Sequence, residues 1–268
     1  MSTAAQISIH LPYLRRYARA LTGSQATGDA YVRATLEAAI EDDELKAQIS
    51  RGRTALYQVF SRIWQSGHVK LVDTGAGAGV ASRDHERAVN DRLSAITPLH
   101  RQALLLTTVE DFSQADTAEI LGVSVGDVES LIVQSVAEID AETTADVLII
   151  EDEPLISMQL DGLVSDLGHR VVGTAATHRQ ALEIFTRSPA GLVLADIQLA
   201  DGSSGIDAVE DLLRLADVPV IFITAYPERL LTGERPEPTY LVTKPFREDT
   251  VRAAISQALF FGTSRPLD

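Results

Sequence analysis

A chain of 268 residues is long enough for two domains, each with its own core. Its formal net charge of −15 opposes a broad grip on nucleic acid and leaves room only for a local basic patch. The absence of cysteine excludes disulfides and thiolate chemistry.

Residues 1–66 read as a helical subdomain. Leu11, Leu14, Ala18 and Leu21 recur at helical spacing, with Pro12 tolerable in a first turn and Gly23 a natural stop. Asp29 is expected to cap or open the next helix, whose inward face would hold Val32, Leu36, Ala39 and Ile40. A third stripe carries Leu56, Val59, Phe60, Ile63 and Trp64. Residues 67–89 break the pattern. Thr74-Gly75-Ala76-Gly77-Ala78-Gly79 is too small and glycine-rich to pack and reads as a linker, and it lacks the spacing and lysine of a phosphate loop.

Helical pattern resumes over 90–142, where Leu93, Ile96, Leu99, Ala103 and Leu104 lead into Ser113 to Glu129. There Ala118 permits close helix approach, Gly122 supplies the turn, Val123 and Val128 plug the angle, and Ser124 caps a second helix. This is a helix-turn-helix pattern without a DNA reader's charge. Between Arg101 and His169 there is no Lys, Arg or His, while Glu110, Asp111, Asp116, Glu119, Asp127, Glu129, Glu138, Asp140, Glu142 and Asp146 all fall there. DNA affinity rests largely on cations that neutralise phosphates, and base readout on side chains of which the second helix offers only Gln134.

From 146 to 268 the pattern is α/β. Val147 to Ile150 ends in Glu151-Asp152, and Leu192 to Ala195 ends in Asp196-Ile197-Gln198. Val218 to Ile223 ends in Thr224, and Tyr240 to Thr243 in Lys244-Pro245. Buried parallel strands deliver such residues to the carboxyl edge of a sheet, where open α/β folds place their sites. Clustered carboxylates repel, and a hard divalent cation such as Mg²⁺ relieves that repulsion. The metal and the Lys244 ammonium would neutralise phosphoryl oxygens while Asp196 attacks phosphorus in line and Thr224 donates to the arriving phosphoryl group. The six histidines (His10, His68, His85, His100, His169, His178) fall at no metal-ligand spacing and read as structural or solvated. With no membrane-length apolar run and no leader-like amino terminus, the expectation is a soluble cytoplasmic protein.

Asp146 to Phe261 resembles a response-regulator receiver domain, a flavodoxin-like fold with a five-stranded parallel sheet. The resemblance implies a phosphoacceptor at Asp196, catalytic roles for Thr224 and Lys244, and metal ligation by Glu151 (through water), Asp152, Asp196 and the Gln198 carbonyl. A cis Lys244-Pro245 bond is implied as well. Leu241 stands where receivers usually carry a switch aromatic, with Tyr240 beside it and Tyr226 close after Thr224. The amino-terminal half resembles an all-α extracytoplasmic-function sigma factor. Leu11 to Ile40, with Gly28 to Val32 at an acidic entry, is similar to sigma region 2, and Leu93 to Ile139 to region 4. Glu129, Leu131 and Gln134 stand where sigma factors carry basic residues.

The two halves together, with the run Leu192 to Asp207, resemble the PhyR response regulators of the bacterial general stress response. That family implies an anti-anti-sigma partner switch rather than an enzyme. A sensor histidine kinase acts as phosphodonor, phosphorylation loosens the receiver, and the sigma mimic sequesters a NepR-like anti-sigma factor, so the true sigma factor is released. No direct DNA binding is expected, and the receiver face of its fourth strand, the following helix and its fifth strand is expected to cover the sigma-like part before phosphorylation. The alternative is a phosphorylation-gated factor that binds DNA or RNA polymerase.

Overall fold

The computed structural model describes residues 7–66, 98–139, 144–199, 201–227, 230 and 238–262. The linker expected at 67–89, the predicted helix start at 90–97 and the last six residues lie outside them. The chain divides into two compact units, Met1–Ile132 and Val133–Asp268.

The first unit is helical: α1 (Leu11–Thr22), α2 (Gln25–Glu41), α3 (Asp43–Ile49), α4 (Arg53–Ser66), α5 (Leu99–Thr108), α6 (Gln114–Leu121) and α7 (Val125–Ile139), with the boundary between units falling inside α7. Pro12 sits in the first turn of α1, and Gly23 closes it at φ +62°, a left-handed conformation that only glycine takes freely. The entry to α2 differs from expectation. Ser24 caps it, its hydroxyl accepting from the Thr27 N–H, and Asp29 lies a turn inside. Asp29 instead accepts paired hydrogen bonds from Arg19 (2.9 and 2.8 Å) and from Arg15 (3.3 and 3.0 Å) on α1. Those hydrogen bonds outweigh the upward push of burial and hold its carboxyl below the usual range. Gly28 lets the helices meet: a Cβ there would lie 2.6 Å from the Arg19 backbone nitrogen.

The inward face of α2 is Tyr31, Val32, Thr35 and Ala39, while Ile40, predicted inside, is 77% exposed. One step along a helix turns about 100°, so Ala39 and Ile40 cannot share a narrow buried face. The α4 stripe does pack: Leu56, Val59, Phe60 and Trp64 are buried, with Tyr31 and Trp64 rings 4.7 Å apart. The α6–α7 pair crosses at 97°, within the usual range for a helix-turn-helix. Gly122 turns the corner at φ +70°, Ala118 and Val128 are buried, and Ser124 and Asp127 cap α7 reciprocally.

A buried charge joins the early and late helices of this unit. After α5, Asp111 at φ +53° reverses the chain and turns Glu110 and Phe112 inward. Glu110 accepts from Arg16 of α1 at 2.9 Å, and from Arg53 and Tyr57 of α4 at 2.8 Å each. Arg16 and Arg53 also donate to the Val109 and Glu110 carbonyls, and the Arg53 guanidinium stacks 4.2 Å from the Phe112 ring. Burial and the neighbouring Glu110 charge push the Tyr57 hydroxyl well up, keeping it a donor. Glu110, counted from sequence among the acids of a stretch without basic residues, is an ion-paired core residue. Asp111, Glu119, Asp127 and Glu129 remain exposed.

The second unit is α/β: β1 (Asp146–Ile150), α8 (Pro154–Asp166), β2 (Arg170–Ala175), α9 (His178–Arg187), β3 (Leu192–Ala195), α10 (Gly205–Leu215), β4 (Val220–Thr224), β5 (Tyr240–Thr243) and α11 (Glu248–Gly262). The strands pair in parallel in the order β2-β1-β3-β4-β5. β3 and most of β1 are buried, as a sheet covered on both faces requires. The order reverses between β1 and β3, and that crevice is where such folds hold ligands. Ile150 pairs with Ala195, so Glu151 and Asp196 leave their strands side by side.

A carboxylate cluster at the sheet edge

The backbone ladder runs one step past the strand ends and holds the acids in place. The Glu151 N–H donates to the Ala175 carbonyl and the Asp196 N–H to the Ile150 carbonyl, both at 2.8 Å. Glu151, Asp152 and Asp196 each offer a carboxylate oxygen, and the three lie within 4.8 Å of one another. Lys244 reaches them from the end of β5, its own N–H tied to the Thr224 carbonyl at 2.8 Å. Its Nζ lies 2.7 Å from both Asp196 Oδ2 and Glu151 Oε2. The Lys244-Pro245 bond is cis.

Charge does not balance here. Burial lowers the Lys244 pKa, but the hydrogen bond to Asp196 and the adjacent Glu151 and Asp196 carboxylates outweigh it and the net shift is upward, so the ammonium stays charged. Burial raises the Glu151 carboxyl despite Lys244. Glu151 Oε2 meets Lys244 as a close ion pair without hydrogen-bond alignment, which leaves buried lone pairs free for another ligand. One lysine facing three carboxylates, with hard oxygen donors converging, fits a divalent cation of the Mg²⁺ or Ca²⁺ kind.

The other expected residues are placed differently. Thr224 is fully buried at the end of β4, and its hydroxyl accepts from the Tyr226 N–H at 3.2 Å. Gln198 is exposed, its backbone N–H 3.5 Å from Asp196 Oδ1, and it forms an isolated antiparallel bridge with Ser204. The Ile197 N–H, at 2.6 Å, is the closer donor to that oxygen. Leu241 is buried in the core, and the Tyr240 hydroxyl donates to the Gln257 carbonyl at 3.3 Å.

Two contributors escaped the sequence reading. Glu153 sets its carboxylate 3.5 Å from Lys244 and its N–H 3.2 Å from Glu151 Oε1. The Glu151-Asp152-Glu153 run was a signal for it. Gly205 opens α10 with its N–H on the Ile197 carbonyl at 3.0 Å, and a Cβ there would sit 1.7 Å from the Asp196 carbonyl oxygen. Only glycine allows α10 to start against the acid's own backbone.

Fold and site together define a response-regulator receiver joined to a helical sigma-like region. Comparison with known families agrees: the sigma2 domain of PhyR matches residues 7–61, the sigma-like domain of the response regulator PhyR matches 93–142, and the response regulator receiver domain matches 147–256. The chain is 52% identical to the phyllosphere-induced regulator PhyR of Methylorubrum extorquens, over 98% of this chain and 97% of that protein. A solved PhyR stress response regulator shares 56% identity and a TM-score of 0.82, covering 99% of this chain and 100% of that one. The anti-anti-sigma factor PhyR of Bartonella quintana shares 47% identity and a TM-score of 0.83, covering 98% and 97%. The chain belongs to the PhyR family of response regulators.

Proposed function

We propose that this chain is the phosphorylation-gated switch of a general stress response: phosphorylated at Asp196, it sequesters a NepR-like anti-sigma factor and releases the true sigma factor. The observation that carries the gate is Asp196, with Lys244 at 2.7 Å and two further carboxylates beside it. The relatives named as anti-anti-sigma factors support the partner. The domain division of this reading is 1–66 and 90–142 for the sigma-like halves, joined by 67–89, and 146–268 for the receiver.

Asp196 attacks the phosphorus of a phosphohistidine on a sensor kinase. The new Asp196 O–P bond forms as the P–N bond breaks and the imidazole leaves with the electron pair. Lys244 trades part of its contact with Asp196 for the phosphoryl oxygens, and the Thr224 hydroxyl leaves the Tyr226 N–H to donate to one of them. Glu151, Asp152, Asp196 and the Gln198 carbonyl would hold Mg²⁺, which when bound neutralises charge on the transferring group. Tyr240 and Leu241 are held by the core, so the Thr224–Tyr226 segment carries the first movement. The chain acts on itself in this chemistry, not on an outside substrate.

The chemistry of α7 favours a protein partner over DNA. Its exposed positions include Val125, Val133 (69% exposed) and Val136, beside Asp127 and Glu129. Such a face presents apolar anchors and repels a duplex. Among the described residues no single helix is long and apolar enough to cross a membrane. The test is a pull-down from native lysate, read by mass spectrometry, with three baits: wild type with Mg²⁺ and acetyl phosphate, wild type without donor, and Asp196→Ala with donor. A small anti-sigma protein retained only by the first supports the reading. Recovery of polymerase or promoter DNA in its place overturns it.

A further inference from the structure

His178, grouped by sequence with the structural or solvated histidines, opens α9 and holds two other segments at once. Its backbone N–H, one of the amides that a helix start leaves without an internal partner, donates to Ser203 Oγ at 3.3 Å. Its ring Nε2 lies 3.0 Å from Asp211 Oδ2 on α10. A carboxylate only accepts, so Nε2 carries the proton of that bond. Ser203 is fixed from its other side by Asp201, which accepts from its N–H at 3.0 Å and from its hydroxyl. Asp211 is fixed in turn by Arg214.

These contacts bear on the phosphoacceptor. Ser204, next to Ser203, bridges to the Gln198 backbone and caps α10 through the Ile206 and Asp207 N–H groups. Gly205 follows, its N–H on the Ile197 carbonyl and its Cα against the Asp196 carbonyl. A closed ring results: His178 to Ser203, Ser204 and Gly205, along α10 to Asp211, and back to His178. Against its Ser204–Gly205 edge lie the Asp196 backbone and the Gln198 position expected to offer its carbonyl to a cation. Lys244 fixes the Asp196 Oδ2 atom from the other side.

We propose that His178 is a positioning residue for the phosphoacceptor site. Its ring fastens Asp211 beside the backbone bond to Ser203, and this fixes where the Gln198 carbonyl stands relative to Asp196, and so sets the affinity for the divalent cation. This rests on the receiver function proposed above.

The test is Mg²⁺ titration of the full chain by calorimetry, paired with the rate of phosphorylation by acetyl phosphate at low and at saturating Mg²⁺. Circular dichroism confirms that each variant is folded. His178→Ala is expected to weaken Mg²⁺ binding roughly 10-fold, the lower end for residues that orient metal ligands from behind. Phosphorylation should fall at low Mg²⁺ and recover at saturation. His178→Gln, whose amide N–H can still reach Asp211, should restore most of the affinity, and Asp211→Ala should reproduce the loss without adding to it in the double variant. Unchanged Mg²⁺ affinity in folded His178→Ala overturns the proposal, and so does a loss that saturating Mg²⁺ does not repair. If wild type neither binds Mg²⁺ nor gains a phosphoryl group, the receiver function itself fails, and this proposal with it.

Discussion

Two carboxylate centres in this molecule invite comparison. Glu110, in the helical unit, has two arginines and a tyrosine on its oxygens, a cationic surplus around one acid. The sheet-edge cluster sets Glu151, Asp152 and Asp196, with Glu153 nearby, against one lysine. Burial is similar for Glu110, Glu151 and Asp196, all within the core, so burial does not separate structure from chemistry. Charge balance does. A satisfied buried acid locks helices together; an unbalanced set holds a place for a cation and for a transferred group.

The sharpest way to break this distinction is to remove an acid from each centre. Glu110→Ala strands Arg16 and Arg53 and should destabilise the helical unit by about 3–5 kcal/mol, as loss of one partner from a buried ion pair does. Trp64, the only tryptophan, is buried in that unit and gives the fluorescence readout in urea. Gly205→Ala should cost the receiver about 1–3 kcal/mol or more through overpacking, measured by thermal melting, and should slow phosphorylation by displacing the Asp196 backbone. Asp152→Asn should do the opposite for stability, raising it by about 1 kcal/mol as like-charge repulsion falls, while Mg²⁺ binding by calorimetry is lost. If Asp152→Asn destabilised the chain as Glu110→Ala does, the comparison would collapse.

A smaller effect sharpens it. Asp29 is the second satisfied acid, its carboxyl pKa lowered in the folded state by Arg19 and Arg15. A depressed pKa stabilises the fold above the unfolded value, and that contribution disappears as pH falls below about 4 and passes through the folded value. Asp29→Asn should therefore be less stable than wild type at pH 7, and the gap should close in acid.

Much of this was legible in the sequence because buried parallel strands announce themselves. Four apolar runs ending in Glu151-Asp152, Asp196, Thr224 and Lys244 give both the sheet and the edge where its acids and lysine meet. The turn chemistry of Gly23, Gly122 and Ser124 was equally plain, since left-handed turns and helix starts admit few residue types. What escaped depends on contacts distant in sequence. Nothing in the sequence set Glu110 apart from the acids around it; Arg16 and Arg53, on helices far earlier in the chain, close over it. His178 acquires its role from Asp211, one element further on, and Gly205 from the Asp196 backbone. Asp29 misled because an acid near a helix start is a good cap, and Ser24 was there first. Ile40 misled because an apolar residue beside a buried stripe need not belong to it.

The most direct measurement of the central claim is a calorimetric titration of a NepR-type anti-sigma factor into the full chain with Mg²⁺. It compares wild type with and without acetyl phosphate against Asp196→Ala with the donor. The account predicts that phosphorylated wild type binds at least roughly 10-fold more tightly than the other two, within the range of ordinary allosteric coupling. Equal affinity in all three would show that Asp196 does not gate the sigma-like unit, and would contradict the account.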